Sequence, residues 1–259
     1  MTTETITLTN AEGPMDAFLA RLEGTGPFSA VVVVQEAFGV NDHIRDVCRR
    51  FAGEGYVALA PELFHRAGRG IVLPYDQFEA VRPYLSALSN ESIEQDLAVS
   101  LDHLRERADV DPRRVGMLGF CIGGFVAFLG ACRLDPGAVV SFYGGGIVRP
   151  RAEGAIKPLL GEAGKIRAPI LCFFGAEDRG IPPGDVKAIE VGLDRLKTPH
   201  EVVVYPGAGH GFFCDQRAAY HAESARDAWR RTLDWLGKYL PAPARPNMRR
   251  AQDGGGTKR

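Results

Sequence analysis

The stretch Val115-Gly-Met-Leu-Gly-Phe-Cys-Ile-Gly-Gly124 decides how this chain is read. Its first four residues have the apolar character of a buried strand, and a helix begins near Gly123. Between them lies Gly119-Phe-Cys121-Ile-Gly123, the strand–turn–helix pattern of a nucleophile elbow with cysteine in place of serine. Such a bend strains the backbone of its central residue. Glycines two before and two after let strand and helix pass without a Cβ clash. The geometry lifts the sulfur above the sheet, and the start of the helix favours the thiolate. The plain alternative is a small-residue turn whose cysteine is only a buried thiol.

Working outward, strands alternate with helices. Residues 3–9 alternate like a half-exposed strand, and Gly13-Pro14 turns the chain into a second strand at 15–21, an antiparallel hairpin at one sheet edge. Residues 30–35 form a β-branched run buried on both faces, as in a parallel sheet. Further strands are expected at 56–60, 137–143, 169–175 and 201–205, and helices at 43–53, 93–108, 123–133, 186–196 and 224–240. Residues 66–74 read as a loop, and 75–88 as an irregular helical excursion interrupted at Pro83. The class is therefore α/β, with a mostly parallel sheet and helices on both faces. Residues 1–240 make one domain. Residues 241–259, rich in Pro, Gly and charge, read as a disordered tail.

The 259 residues carry a formal net charge of -1 and no basic stripe, which argues against nucleic acid as a partner. The first residues lack a basic region followed by an apolar core, so no signal peptide is expected. The apolar run 30–34 is far too short to span a membrane. Five cysteines, an odd number without regular spacing, make no disulfide framework and fit a reducing cytoplasm. A monomer or weak homodimer acting on a small molecule is expected.

Ligands of such sheets bind at the carboxyl ends of the strands. Gln35-Glu36, Cys121, Asp178 and His210 all fall there. A thiol needs a base to become thiolate, and a histidine needs a carboxylate to hold its tautomer. Cys121, Asp178 and His210 occur in the chain order of α/β-hydrolases, each just past a strand. Glu177 is the rival acid, and Asp178 is preferred for its position before Ile181-Pro182. Glu36 follows a buried strand, and its alternative is a surface loop. His210-x-x-x-Cys214 offers two metal-ligand types, but a mononuclear site needs more and none is close in sequence, so no metal or other cofactor is expected. His43, His65, His103, His200 and His221 read as surface or capping residues, and Cys48, Cys132 and Cys172 as core.

The chain resembles the dienelactone hydrolases (carboxymethylenebutenolidases). The resemblance rests on Val34-Gln-Glu-Ala-Phe-Gly-Val-Asn41, Ala60-Pro-Glu-Leu63, Gly119-Phe-Cys-Ile-Gly-Gly124, Phe142-Tyr-Gly144, Gly175-Ala-Glu-Asp178 and Gly209-His-Gly-Phe212. It implies an α/β-hydrolase fold and a Cys121–His210–Asp178 triad. It also implies that Glu36 takes part in activating the thiol when substrate binds. Backbone N–H groups of Ala37 and Ile122 are the candidate oxyanion hole. Tyr143, Phe38 and Phe212 are candidates to line the pocket, with core packing an equal reading. The resemblance further implies two arginines for a substrate carboxylate. Arg82 is the candidate for the first. At the second position stand Cys214 and Asp215, with Arg217 further on. Cys214 carries no positive charge and Asp215 would repel a carboxylate, so a substrate other than the dienelactone is expected. The expected reaction is ester or lactone hydrolysis through a thioester. The alternatives are a carboxylesterase or thioesterase of other specificity, or a non-catalytic thiol or binding protein.

Overall fold

The computed structural model describes residues 1–150 and 155–240, so the expected tail lies outside the described residues. In chain order the strands are β1 (Thr2–Asn10), β2 (Gly13–Arg21), β3 (Phe28–Val34), β4 (Tyr56–Pro61), β5 (Val110–Phe120), β6 (Val139–Phe142), β7 (Ile170–Gly175) and β8 (His200–Tyr205). The helices are α1 (Asp42–Gly53), α2 (Phe78–Ser86), α3 (Asn90–Glu106), α4 (Ile122–Arg133), α5 (Pro183–Leu193) and α6 (Ala222–Tyr239).

The strands form one sheet in the order β1-β2-β4-β3-β5-β6-β7-β8. β1 and β2 pair antiparallel, as does β2 with β4, and every pairing beyond is parallel. This is the α/β class with a mostly parallel sheet that the pattern of elements predicts, and it agrees with the α/β-hydrolase fold that the resemblance implies. The sheet centre follows from composition. All six residues of β3 after Phe28 are buried, four of them valines, and β-branched side chains suit a strand covered on both faces. Each buried valine contributes about 1.5–3 kcal/mol relative to its exposed state. α4 is buried from Ile122 through Cys132, so it is apolar all round rather than along one stripe.

Three elements differ from the sequence reading. α2 runs through Pro83 instead of stopping there. Proline removes one N–H, and the last turn still closes through Ala87 N to Pro83 O at 3.2 Å. α3 starts at Asn90, earlier than apolar spacing suggests. Ser89 and Ser92 form a reciprocal cap, with Ser92 N donating to Ser89 Oγ at 3.1 Å and Ser89 N to Ser92 Oγ at 3.0 Å. A 3-10 turn at Leu160–Lys165 had no periodic signal. Among the described residues, no helix is long and apolar enough to cross a membrane, and no disulfide links the cysteines.

Candidate active site

Cys121 caps the start of α4 with φ 58° and ψ -115°. Its N–H donates to Phe142 O at 3.1 Å, and its carbonyl accepts from Gly124 N at 3.0 Å. The flanking glycines are sterically required. A Cβ on Gly119 would collide with the Gly123 backbone, and one on Gly123 would lie 2.5 Å from the carbonyl oxygens of Val34 and Gln35. Among the described non-glycine residues, only Cys121 and Tyr143 (φ 39°) have positive φ. They follow the adjacent strands β5 and β6. Such backbone costs of order 1–3 kcal/mol each and persists only where the fold imposes it.

His210 follows β8 and Asp178 follows β7. His210 Nδ1 lies 2.7 Å from Asp178 Oδ2, while Asp178 Oδ1 accepts from Gly180 N at 2.8 Å. An ionised carboxylate only accepts, so Nδ1 is the donor and Nε2 is left for the Cys121 thiol, with which the imidazole shares a hydrogen bond. Glu177 is exposed and Asp178 buried, which separates the two candidate acids. Burial alone would lower the His210 pKa. Charge on the Cys121 sulfur, with hydrogen bonds to Asp178 and Cys121, outweighs it and raises the pKa to about 10. The Tyr143 ring meets the imidazole edge to face, with centroids 5.1 Å apart.

Glu36 is 0 % exposed, not a surface-loop residue. Its Oε1 accepts from Arg217 Nη1 at 3.0 Å, and its Oε2 is buried without a hydrogen-bond partner. Burial raises its pKa above the usual carboxylate value, with Arg217 and then His210 pulling the other way. The Arg217 guanidinium lies 5.5 Å from the Phe38 ring centroid and 5.7 Å from that of Tyr75. Tyr75 Oη accepts from Asn41 Nδ2 at 2.9 Å and from Cys214 Sγ at 3.2 Å.

Arg217 is the residue the sequence reading passed over. It sits in an irregular segment, where spacing gives no face. The available signal was that no other Lys or Arg occurs between His210 and Arg226. Although Cys214 is uncharged, the fold restores a cation by folding Arg217 back. Asp215, expected to repel a carboxylate, is 68 % exposed at its side chain and lies 3.8 Å from His43 Nδ1.

The remaining candidates divide. Gly123 packs against the carbonyls of Val34 and Gln35, so the start of α4, with Ile122, is pressed onto the segment leading to Ala37. Phe38 is nearly buried and supports Arg217 and Tyr75. Phe212 is fully buried between Tyr143 and Tyr205, a core position. Arg82 is half-exposed on α2 and pairs with Glu79 at 3.0 Å. His43 and His65, read as surface or capping residues, are both buried, because each packs inward from a segment whose partners are distant in sequence. Burial lowers the His43 pKa to about 4. His221 does cap α6.

Residues 15–240 match the family model described as the dienelactone hydrolase family. A protein named "Putative carboxymethylenebutenolidase" from Synechocystis sp. is 41% identical over 231 residues, covering 88% of this chain and 94% of that one. One of the same name from Escherichia coli is 38% identical over 231 residues, 87% of this chain and 83% of that one. A crystal structure described as "Putative Dienelactone Hydrolase" from Klebsiella pneumoniae superposes with a TM-score of 0.82 at 34% identity, covering 92% of this chain and 99% of that one. The elbow, the order of the parallel strands and these likenesses agree, and the chain belongs to the dienelactone hydrolase family, as a hydrolase of ester or lactone bonds.

Proposed function

We propose that this hydrolase works through a Cys121–His210–Asp178 triad and a thioester intermediate. The observation that carries this reading is the strained Cys121 at the mouth of α4, hydrogen-bonded to an imidazole that Asp178 holds at 2.7 Å. The thiolate attacks the carbonyl carbon, forming a C–S bond and moving an electron pair onto the carbonyl oxygen. That oxyanion takes hydrogen bonds from the Ala37 and Ile122 N–H groups. The tetrahedral intermediate then collapses, and the C–O bond to the leaving group breaks as His210 delivers its proton to the departing oxygen. The neutral imidazole next takes a proton from water, whose oxygen attacks the thioester. Collapse of this second intermediate frees the carboxylic acid and returns the thiolate–imidazolium pair. An enolate leaves more readily than an alkoxide, so enol-lactones and activated esters suit a cysteine nucleophile best.

Arg217 refines the substrate class. Its guanidinium is bound to the buried Glu36, and a substrate carboxylate is a chemically equivalent acceptor. An anionic substrate can therefore take the place of Glu36 on the guanidinium. This favours small lactones or esters bearing a carboxylate, contrary to the expectation drawn from Cys214.

The test follows ultraviolet absorbance of a dienelactone on adding enzyme, with Cys121→Ala beside it and p-nitrophenyl acetate as a neutral ester. Intact-mass spectrometry of the quenched reaction reads the acyl-enzyme. Cys121-dependent turnover and a Cys121-borne acyl mass are expected. Full activity in Cys121→Ala on every substrate that the wild type cleaves would discard the triad. Turnover of the neutral ester alone would keep the triad and discard the anionic substrate class.

A further inference from the structure

Behind the site, the fold assembles a group that sequence spacing could not. One ligand atom each from His43, Cys214 and Asp215 lie within 4.8 Å of one another. His43 comes from α1 and the other two from the segment after His210, so the set spans more than 170 positions of sequence. His210 itself is not part of it. We propose that His43, Cys214 and Asp215 form a binding site for one borderline-soft divalent cation of the zinc class.

Three observations carry this. The donors are an imidazole nitrogen, a thiol sulfur and a carboxylate oxygen, the mixture that zinc accepts. The His43 imidazole is buried in the protein interior, so Nδ1, the nitrogen that faces Asp215, is held in place by packing. The geometry is also near to what is needed. A tetrahedral zinc with bonds of about 2.0–2.3 Å puts its ligand atoms roughly 3.4–3.7 Å apart. His43 Nδ1 and Asp215 Oδ1 are already 3.8 Å apart, and the Asp215 side chain is exposed and able to turn. Three protein ligands leave the fourth position for water.

The site is reached from solvent, and its carboxylates Asp46 and Asp215 face the guanidinium groups of Arg50 and Arg226. A cleft of about 150 Å³ reaches His43 and Asp215 from solvent, past Asp46, Arg50, Arg226 and Trp229. Arg50 lies over the Trp229 ring at 3.9 Å, so its charge is directed onto the indole face. Binding would replace the Cys214 S–H bond by a metal–sulfur bond and release the proton to solvent. The donor to Tyr75 Oη at 3.2 Å would then be lost. Because Tyr75 also packs on Phe38 and Arg217, the cation would act on the Glu36–Arg217 side of the active site without contacting Cys121.

The experiment uses Cys121→Ala, which removes the rival thiol, stripped of metal and titrated with Co²⁺, then with Zn²⁺ as competitor. One equivalent of Co²⁺ should produce a sulfur-to-cobalt charge-transfer band that Zn²⁺ abolishes. Adding Cys214→Ser should remove the band, and the exposed change Asp215→Asn should weaken Co²⁺ binding at least tenfold. Circular dichroism confirms that each variant is folded. Absence of a band in folded Cys121→Ala, or a band that survives Cys214→Ser, would overturn the site. Neither result depends on whether the protein hydrolyses a lactone.

Discussion

Among the described residues, two histidines pair with a buried aspartate, and the two pairs have different surroundings. His210 and Asp178 meet at 2.7 Å, and His65 and Asp96 at 3.2 Å. Asp178 is engaged by His210 and one backbone N–H. Asp96 accepts from Asn10 Nδ2 at 2.6 Å, from Arg66 Nη1 and Nη2 at 2.8 and 2.9 Å, and meets His65 Nε2 as well. Its charge is spent on fastening the β1–β2 hairpin and the segment after β4 to α3. The far nitrogen of His65 is buried without a partner, whereas the far nitrogen of His210 faces the Cys121 thiol. A histidine–carboxylate contact is therefore no sign of catalysis. What matters is whether the second ring nitrogen meets a group that can react.

Exchange of the acid should separate the pairs most sharply. Asp178→Asn should keep its size but favour the wrong imidazole tautomer, lowering kcat by about 10⁴-fold while costing only about 1–2 kcal/mol of stability. Steady-state kinetics on an activated ester, with urea unfolding of the same preparation, measures both. Asp96→Ala should do the reverse. Removing a buried carboxylate that satisfies Arg66, His65 and Asn10 should cost about 3–5 kcal/mol in urea unfolding, with kcat per folded molecule within about twofold of wild type. A large kcat loss in Asp96→Ala would erase the distinction.

The pH profile sharpens the contrast. The folded pKa of His210 is raised from 6.5 to about 10, so the folded state holds its proton more tightly than the unfolded chain does. Its contribution to stability is then full below about pH 6.5 and is lost as pH rises through about 10. In the proposed mechanism the same proton is delivered to the leaving group, so kcat/KM should persist to alkaline pH and fall as His210 deprotonates. In Cys121→Ala the sulfur charge is gone and burial acts with less opposition. The His210 titration followed by NMR should move down toward 6.5. An unmoved titration would mean that the thiolate does not hold the proton.

The elements that bring Cys121, Asp178 and His210 together were readable in the sequence, and the His65–Asp96 side of this comparison was not. Gly119-x-Cys121-x-Gly123 announces its bend because the steric need for glycine is local, and Asp178 and His210 announce themselves by following strands whose apolar runs are plain. His65 and Asp96 sit on different elements with no periodic relation, so nothing in the chain links them before it folds. Arg217 was hidden for the same reason. It lies in an irregular stretch, and its meaning depends on a contact with Glu36 across 181 positions. Local rules carry strands, elbows and caps, while long-range charge pairing requires the folded chain.

Arg217 gives the last and smallest test of what distinguishes the two regions. Both arginines, Arg66 and Arg217, neutralise a buried carboxylate, but Arg66 shares Asp96 with His65 and Asn10, whereas Glu36 keeps one oxygen without a hydrogen bond. An ion pair in which one carboxylate oxygen lacks any donor is more easily exchanged, because fewer bonds break when a substrate carboxylate takes the guanidinium. Arg217→Gln should therefore raise KM for an anionic lactone about tenfold, equivalent to about 1.4 kcal/mol, and leave KM for p-nitrophenyl acetate within about twofold. Equal effects on both substrates would make Arg217 a structural partner of Glu36, as Arg66 is of Asp96. A selective effect would instead identify it as the residue that binds the charge on the substrate.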